Sequence, residues 1–350
     1  GALNYGRLIN YGLPSAWCND TGGYGFVLFG SGSGNKTYRL NFPNGINQNS
    51  NITVDPWVTT ITTLTTSNSA FDVDYDFNGN TFVYGGSTNY QIAMYNSSGV
   101  LQWTFAGMLT TPSWQTTSFP GNFAIDKFTG KSFTGQGFNP SGSQVIRLDI
   151  SGNYDNFIST VDVTFKEIWD LGFFCQTGQV FIFGGTTATN VSAATINTVN
   201  SSLNLTTFQP TNTGCCIDVV SYAIDDQGSV FVLFASASNT ATTNRICAVN
   251  STFSGNNWTQ PTGFTVMSEN ANKGAYQPAV TSNGFNALAV NNNYVYYYNG
   301  LNLGAYSKLT GASLATIALP GMTLKRQGGI AVDGCDNIYI GGNGSIITYS

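Results

Sequence analysis

Carboxylates are the first candidates for chemistry, because the chain contains no histidine. Without an imidazole there is no Ser-His-Asp or Cys-His nucleophile pair and no histidine general base. Histidine-ligated catalytic zinc, iron or copper is excluded as well. Glycoside hydrolysis would need two carboxylates facing each other across a cleft. Glu167 with Asp170, in KEIWDLG, is one such group, and Asp225 with Asp226 is another. Both fit equally as strand-end or turn residues, so no enzyme activity, metal or cofactor is expected. Asp74, Asp126, Asp225 and Asp333 recur just ahead of Gly/Asn turns. A ring of metal-binding carboxylates is one reading; capping of turn amides is the expected one. GSGSG at Gly30–Gly34 lacks the lysine and helix start of a phosphate loop and reads as a hairpin turn.

Thiols and asparagines come next. Cys18, Cys175, Cys215, Cys216, Cys247 and Cys335 form an even set without zinc-type spacing. Disulfides are expected, with buried thiols or redox chemistry at Cys215-Cys216 as alternatives, and fifteen pairings are possible. Cys18 and Cys335 fall at the seam between the first and last repeats, and the other four lie in units four and five. Asn-x-Ser/Thr triplets start at Asn19, Asn35, Asn51, Asn96, Asn190, Asn200, Asn204, Asn250, Asn257 and Asn343. A chain so rich in Asn, Ser and Thr yields nearly as many by chance, so they are candidate glycosylation sites only. Trp57, Trp103, Trp114, Trp169 and Trp258 suit either sugar stacking or apolar filling between sheets, and filling is the expectation. The Thr-rich run Thr59–Ser69 reads as an outer strand or an O-glycosylated stretch.

The elements that position these residues repeat. A short apolar strand, a Gly/Asn/Asp turn and a second apolar strand recur seven times. FDVDYDFNGNTFVYGG from Phe71, FAIDKFTGKSFTGQG from Phe123 and DLGFFCQTGQVFIFGG from Asp170 are clear copies. WCNDTGGYGFVLFG from Trp17 is the weakest. The turn centres are spaced by about 52 residues on average, which suits one four-stranded propeller blade. The expected fold is therefore all-β: one seven-bladed β-propeller spanning residues 1–350, its blades starting near 17, 71, 122, 169, 221, 286 and 329. In unit three the strands are expected at Asn122–Asp126, Lys131–Gly137, Gln144–Ile150 and Tyr154–Thr160. The last unit writes three strands, and ALNYGRLINY at Ala2–Tyr11 belongs to no unit. That segment, within residues 1–12, is expected to supply the missing outer strand, within one chain or from chain to chain. Head-to-tail donation that does not close makes a filament.

Unit three, GKSFTGQGFNPSGSQVIRLDISGNYDNFI, resembles the delta-60 type of β-propeller repeat. The likeness runs through Gly130-Lys131, Gly135, Gly137, Ile146-Arg147-Leu148, Gly152, Asp155 and Phe157. AIDDQGSVFV and IAVDGCDNIYIGG are also similar to NHL-type repeats. The resemblance implies a propeller and no particular activity.

Charged residues make up 8% of the chain, against about 25% in an average soluble domain. The surface must be built from Asn, Thr, Ser, Gly and Tyr, as in secreted, glycosylated or filament-forming proteins. A net charge of −5 without basic clusters argues against nucleic-acid binding. The apolar runs are strand-length, well short of the roughly 20 residues of a membrane-spanning helix. The expected role is a non-catalytic extracellular or cell-surface subunit, structural or adhesive, that self-associates as a homo-oligomer or filament. The alternative is a carbohydrate-binding module that meets glycans through loop aromatics.

Overall fold

The computed structural model describes residues 64, 70–86, 89–116, 123–137, 139, 144–159, 167–174, 176–185, 191–197, 203–208, 218–225, 227–235, 245–250, 255–263, 288–298, 302–319, 330–332, 336–342 and 345–349. Among them every regular element is a strand and no residue is helical. The candidate closing segment at residues 1–12, the first repeat unit, Gly30–Gly34 and Trp57 lie outside the described residues. So does the run Thr59–Ser69, apart from Leu64.

The strands form antiparallel meanders in chain order, arranged as blades of a β-propeller. The first sheet is β1 (Ala70–Tyr75), β2 (Thr81–Gly85), β3 (Gln91–Tyr95) and β4 (Leu101–Phe105). A two-stranded hairpin follows, β5 (Met108–Leu109) with β6 (Trp114–Gln115). The second sheet is β7 (Phe123–Ile125), β8 (Ser132–Gly135), β9 (Gln144–Leu148) and β10 (Tyr154–Ser159). These four strands fall within or at the spans expected for unit three. The third meander is β11 (Glu167–Phe174), β12 (Gln179–Gly185), β13 (Val191–Asn197) and β14 (Leu203–Phe208). The fourth is β15 (Asp218–Ile224), β16 (Val230–Ala235), β17 (Arg245–Val249) and β18 (Asn256–Pro261). A single bridge, Gly185 to Asp218, joins these two into one eight-stranded sheet. The fifth is β19 (Leu288–Val290), β20 (Tyr294–Tyr298), β21 (Asn302–Ser307) and β22 (Ser313–Ala318). The sixth has three described strands, β23 (Ile330–Val332), β24 (Ile338–Gly342) and β25 (Ser345–Tyr349).

Packing explains why the strands read as continuous apolar runs rather than as alternation. Successive side chains on a strand point to opposite faces. Here both faces of a sheet are covered, each by a neighbouring sheet. In β7, Phe123 and Ile125 pack with Phe82, Tyr84 and Ile92 of the first sheet. Ala124, between them, packs the other way, with Ile168, Leu171 and Ile182 of the third. In β12, Val180 and Ile182 face back toward the second sheet, while Phe181 and Phe183 face forward to Ile224 and Val232. Phe231 and Leu233 meet Leu288 and Tyr297, and Ala289 and Tyr298 meet Ile330 and Ile340. The inner strands β1, β7, β11, β15, β19 and β23 also touch one another in that order. The core is thus a series of layers between blades.

Candidate functional site: the turn face and the blade clasps

In an up-down meander the first-to-second and third-to-fourth turns lie at the same end of the sheet. That end, the turn face, is built from short hairpins whose first residue accepts the amides of its own turn. Asp76 Oδ1 accepts the N–H groups of Asn78 and Asn80, each at 2.9 Å. Asp126 Oδ1 accepts Phe128 N–H at 3.0 Å, and its Oδ2 accepts the Thr129 hydroxyl at 2.7 Å. Asp225 Oδ1 accepts Gln227 and Ser229 N–H at 2.9 and 2.7 Å. Asn291 fills the same place in the fifth sheet, accepting Asn293 and Tyr294 N–H. At the other hairpin Asn96 and Asp149 do the same work. A short side-chain acceptor two residues ahead of a turn amide makes the turn without help from the rest of the fold.

These contacts settle the recurrent aspartates. Asp126 and Asp225 cap turn amides. In the second unit the capping residue is Asp76, not Asp74 as the sequence pattern suggested. Asp74 sits two residues earlier on β1 and reaches the next blade instead. It accepts Ile125 N–H at 3.3 Å and pairs with Lys127, whose Nζ also stands 4.4 Å from the centroid of Tyr75. Asp333 lies outside the described residues. Among the described residues no three acidic or cysteine side chains are grouped to hold a metal ion.

The blades are tied together at this same end. Lys308 Nζ meets the buried Asp225 Oδ2 at 2.7 Å, from the fifth sheet to the fourth. Asn291 Nδ2 donates to Asp336 Oδ1 at 2.8 Å, toward the sixth. Two tryptophans make a repeated clasp. Trp103, on outer strand β4, donates its indole N–H to Ile150 O of the next blade at 2.8 Å. Trp258, on outer strand β18, donates to Lys308 O of its next blade at 2.9 Å. Each ring then lies flat on a turn glycine. A Cβ on Gly152 would stand 2.6 Å from Trp103, and one on Gly311 would stand 2.4 Å from Trp258. Both glycines have positive φ, so the turn and the close approach ask for the same residue. Trp114 is buried beside Phe105, Phe123 and Ile146 and donates to Gln144 O at 3.3 Å. Of Trp169 only the backbone, in β11, is described. The described tryptophan indoles are thus spent on blade contacts.

The second unit's ion network lies on one sheet. Lys131 Nζ and Arg147 Nε both reach Asp155 Oδ2, at 2.9 and 2.8 Å. The Lys131 hydrogen bond, opposed by burial and helped by the Arg147 charge, holds the Asp155 carboxyl below its ordinary range.

The remaining expected site residues are scattered. Cys247 is buried on β17 with its Sγ 3.4 Å from Thr259 Oγ1. Cys18, Cys175, Cys215, Cys216 and Cys335 lie outside the described residues, and so do the expected pairings. Asn96 and Asn250 stand at hairpin turns, Asn204 lies on β14, and Asn257 is exposed on β18. Asn19, Asn35, Asn51, Asn190, Asn200 and Asn343 lie outside the described residues, as does Asp226. Glu167 and Asp170 are on one inner strand, separated by a register shift. Asp170 is buried and accepts Leu171 N–H at 3.0 Å. No protein-family model matches the chain, and no curated protein matches it.

Proposed function

We propose that the chain is a non-catalytic extracellular subunit, structural or adhesive, whose fold is a seven-bladed propeller of the delta-60 or NHL kind. The observation that carries this reading is how the chemistry-bearing side chains are used. Asp76, Asp126, Asp149 and Asp225 hold turns, Asp74 and Asp155 hold lysines, and Trp103 and Trp258 clasp blades. Groups that might have formed a reaction site serve rigidity instead. A blade ahead of β1 is supported by Leu64, which is buried with Val83, Ala93 and Tyr95 on the flank of the first sheet that faces away from the second. Among the described residues β25 pairs with β24 alone, where the earlier meanders run to four strands. Ala2–Tyr11 is the strand proposed to complete it, from the same chain or a neighbour. Disulfides and glycans complete an extracellular surface in this reading.

The test is electron microscopy with light scattering on the chain with and without residues 2–11. Assemblies that vanish on deletion support strand donation; assemblies that persist unchanged refute it.

A second reading, carbohydrate binding, is favoured by one feature. Phe128 is 52% exposed at its turn and packs edge-on against Phe77, with ring centroids 5.3 Å apart. Saturable binding on a glycan array, lost in Phe128→Ala, is its expected outcome.

A further inference from the structure

The turn face carries an apolar surface that the strand-donation reading does not use. Val100, Phe128, Ile150, Tyr154, Tyr294 and Leu309 all stand in a turn or on the first strand residue after one. Every one is therefore at the same end of its sheet. On the first two blades they are continuous. Ile150 Cδ1 lies 3.7 Å from the Cβ position of Gly130, two residues from Phe128. The Ile150 carbonyl takes the Trp103 indole, three residues beyond Val100. On the fifth blade the backbone bond from Lys308 N–H to Asn293 O, 2.9 Å, places Leu309 near Tyr294.

We infer that this face is a self-association surface that seats on the same face of a second copy of the chain. Three observations favour that occupant. The first is area: Leu309 is 87% exposed, Val100 56% and Ile150 50%. With Phe128 and the two tyrosines the exposed apolar surface is roughly 700 Å², close to the about 800 Å² that each partner buries in a standard interface. Isolated exposed side chains are ordinary; a concentration on one face marks an interaction site.

The second is charge. Asp76, Asp126 and Asp225 are buried beneath their turns, and Lys127, Lys131 and Lys308 are each matched by an aspartate of the same chain. Two chains of net charge −5 can approach through a face that shows little of that charge. An anionic lipid surface would require lysines not already engaged. The third is shape. Uniform short turns, tied blade to blade, make a rigid face that loses little entropy on docking. A two-fold interface sets such a patch against itself without further complementarity.

The test is sedimentation of the full chain from about 1 to about 500 μM, a range that brackets a weak to moderate dimer. The wild type is expected to dimerise with concentration. Val100→Asp with Leu309→Asp is expected to raise the dimer Kd at least about 30-fold, because like charges then meet across the interface. Leu309→Asp alone, at a side chain with almost no packing to lose, is the variant that cannot fail by misfolding; it is expected to move Kd in the same direction. Deletion of residues 2–11 is expected to leave this Kd unchanged, which separates the face from strand donation. A wild type monomeric across the range overturns the inference. So does an unchanged Kd in the double variant, or binding to vesicles or glycans by a chain that stays monomeric.

Discussion

Gly152→Ala measures the tryptophan clasp directly. Gly152 has φ of +79° and a Cβ there would fall 2.6 and 2.7 Å from two Trp103 ring atoms. The positive φ alone costs an alanine about 1 kcal/mol. The ring must also tilt away, losing its 2.8 Å bond to Ile150 O, worth about 1 kcal/mol, and about as much again in packing. The total is about 3 kcal/mol. Gly263 is the control, with φ of +78° and nothing within 4 Å of its Cβ position. Gly263→Ala should cost only the backbone share, about 1 kcal/mol. The remaining difference, about 2 kcal/mol, belongs to the clasp. It should disappear when Trp103 is first replaced by alanine, because nothing is then left to collide with. The assay is urea unfolding followed by circular dichroism on the four single variants and combinations of the cycle. Equal costs for Gly152→Ala and Gly263→Ala would refute the reasoning, as would a Gly152→Ala cost that survives in the Trp103→Ala background.

Asp155→Asn should cost about 1 kcal/mol at pH 7, since the pair with Lys131 is partly exposed. The folded carboxyl is held below its unfolded value, so its contribution is present above the unfolded pKa and is lost as pH falls through the folded one. Wild type and variant should therefore converge in urea melts below about pH 3. Asp126→Ala removes the acceptor for Phe128 N–H and the Thr129 hydroxyl and should cost about 2 kcal/mol. Asp126→Asn keeps Oδ1 and should recover most of that loss in the same assay.

What the sequence displayed well was whatever one unit makes by itself. The unit-three strands are visible because Gly130, Gly152 and the aspartates ahead of them set their turns locally, through Asp126 and Asp149. Lys131, Arg147 and Asp155, spread over 24 residues, carried the resemblance to a known repeat and meet at one carboxylate oxygen. What the sequence hid is whatever passes between units. Asp74 and Asp76 are indistinguishable by pattern; only the blade beside them decides that one holds Lys127 and the other its own turn. The clasps left a trace, since each tryptophan precedes its acceptor carbonyl by 47 or 50 residues, about one repeat. The bridge between Gly185 and Asp218 and the hairpin of β5 and β6 break the repeat and have no signal of that kind.

The two ends of the blades follow from the same division. At the turn end, local caps fix each hairpin, and the Trp–Gly clasps and Lys–Asp ties then lock hairpin to hairpin. Each tie spans one neighbour, so stability accumulates as a chain of nearest-neighbour terms, as in other repeat proteins. Substitution of a tie should therefore weaken one seam rather than the whole ring. A surface built on such seams keeps its side chains at fixed spacing before any partner arrives, and preorganisation is what converts modest apolar area into affinity. The connections between second and third strands, and from one blade to the next, run at the opposite end and have no such caps among the described residues. Length and composition can vary there without disturbing the seams. Association through the turn end and ligand choice through the loop end are then separable, and the Leu309→Asp and Val100→Asp variants should change the first while leaving any ligand bound by the loops untouched.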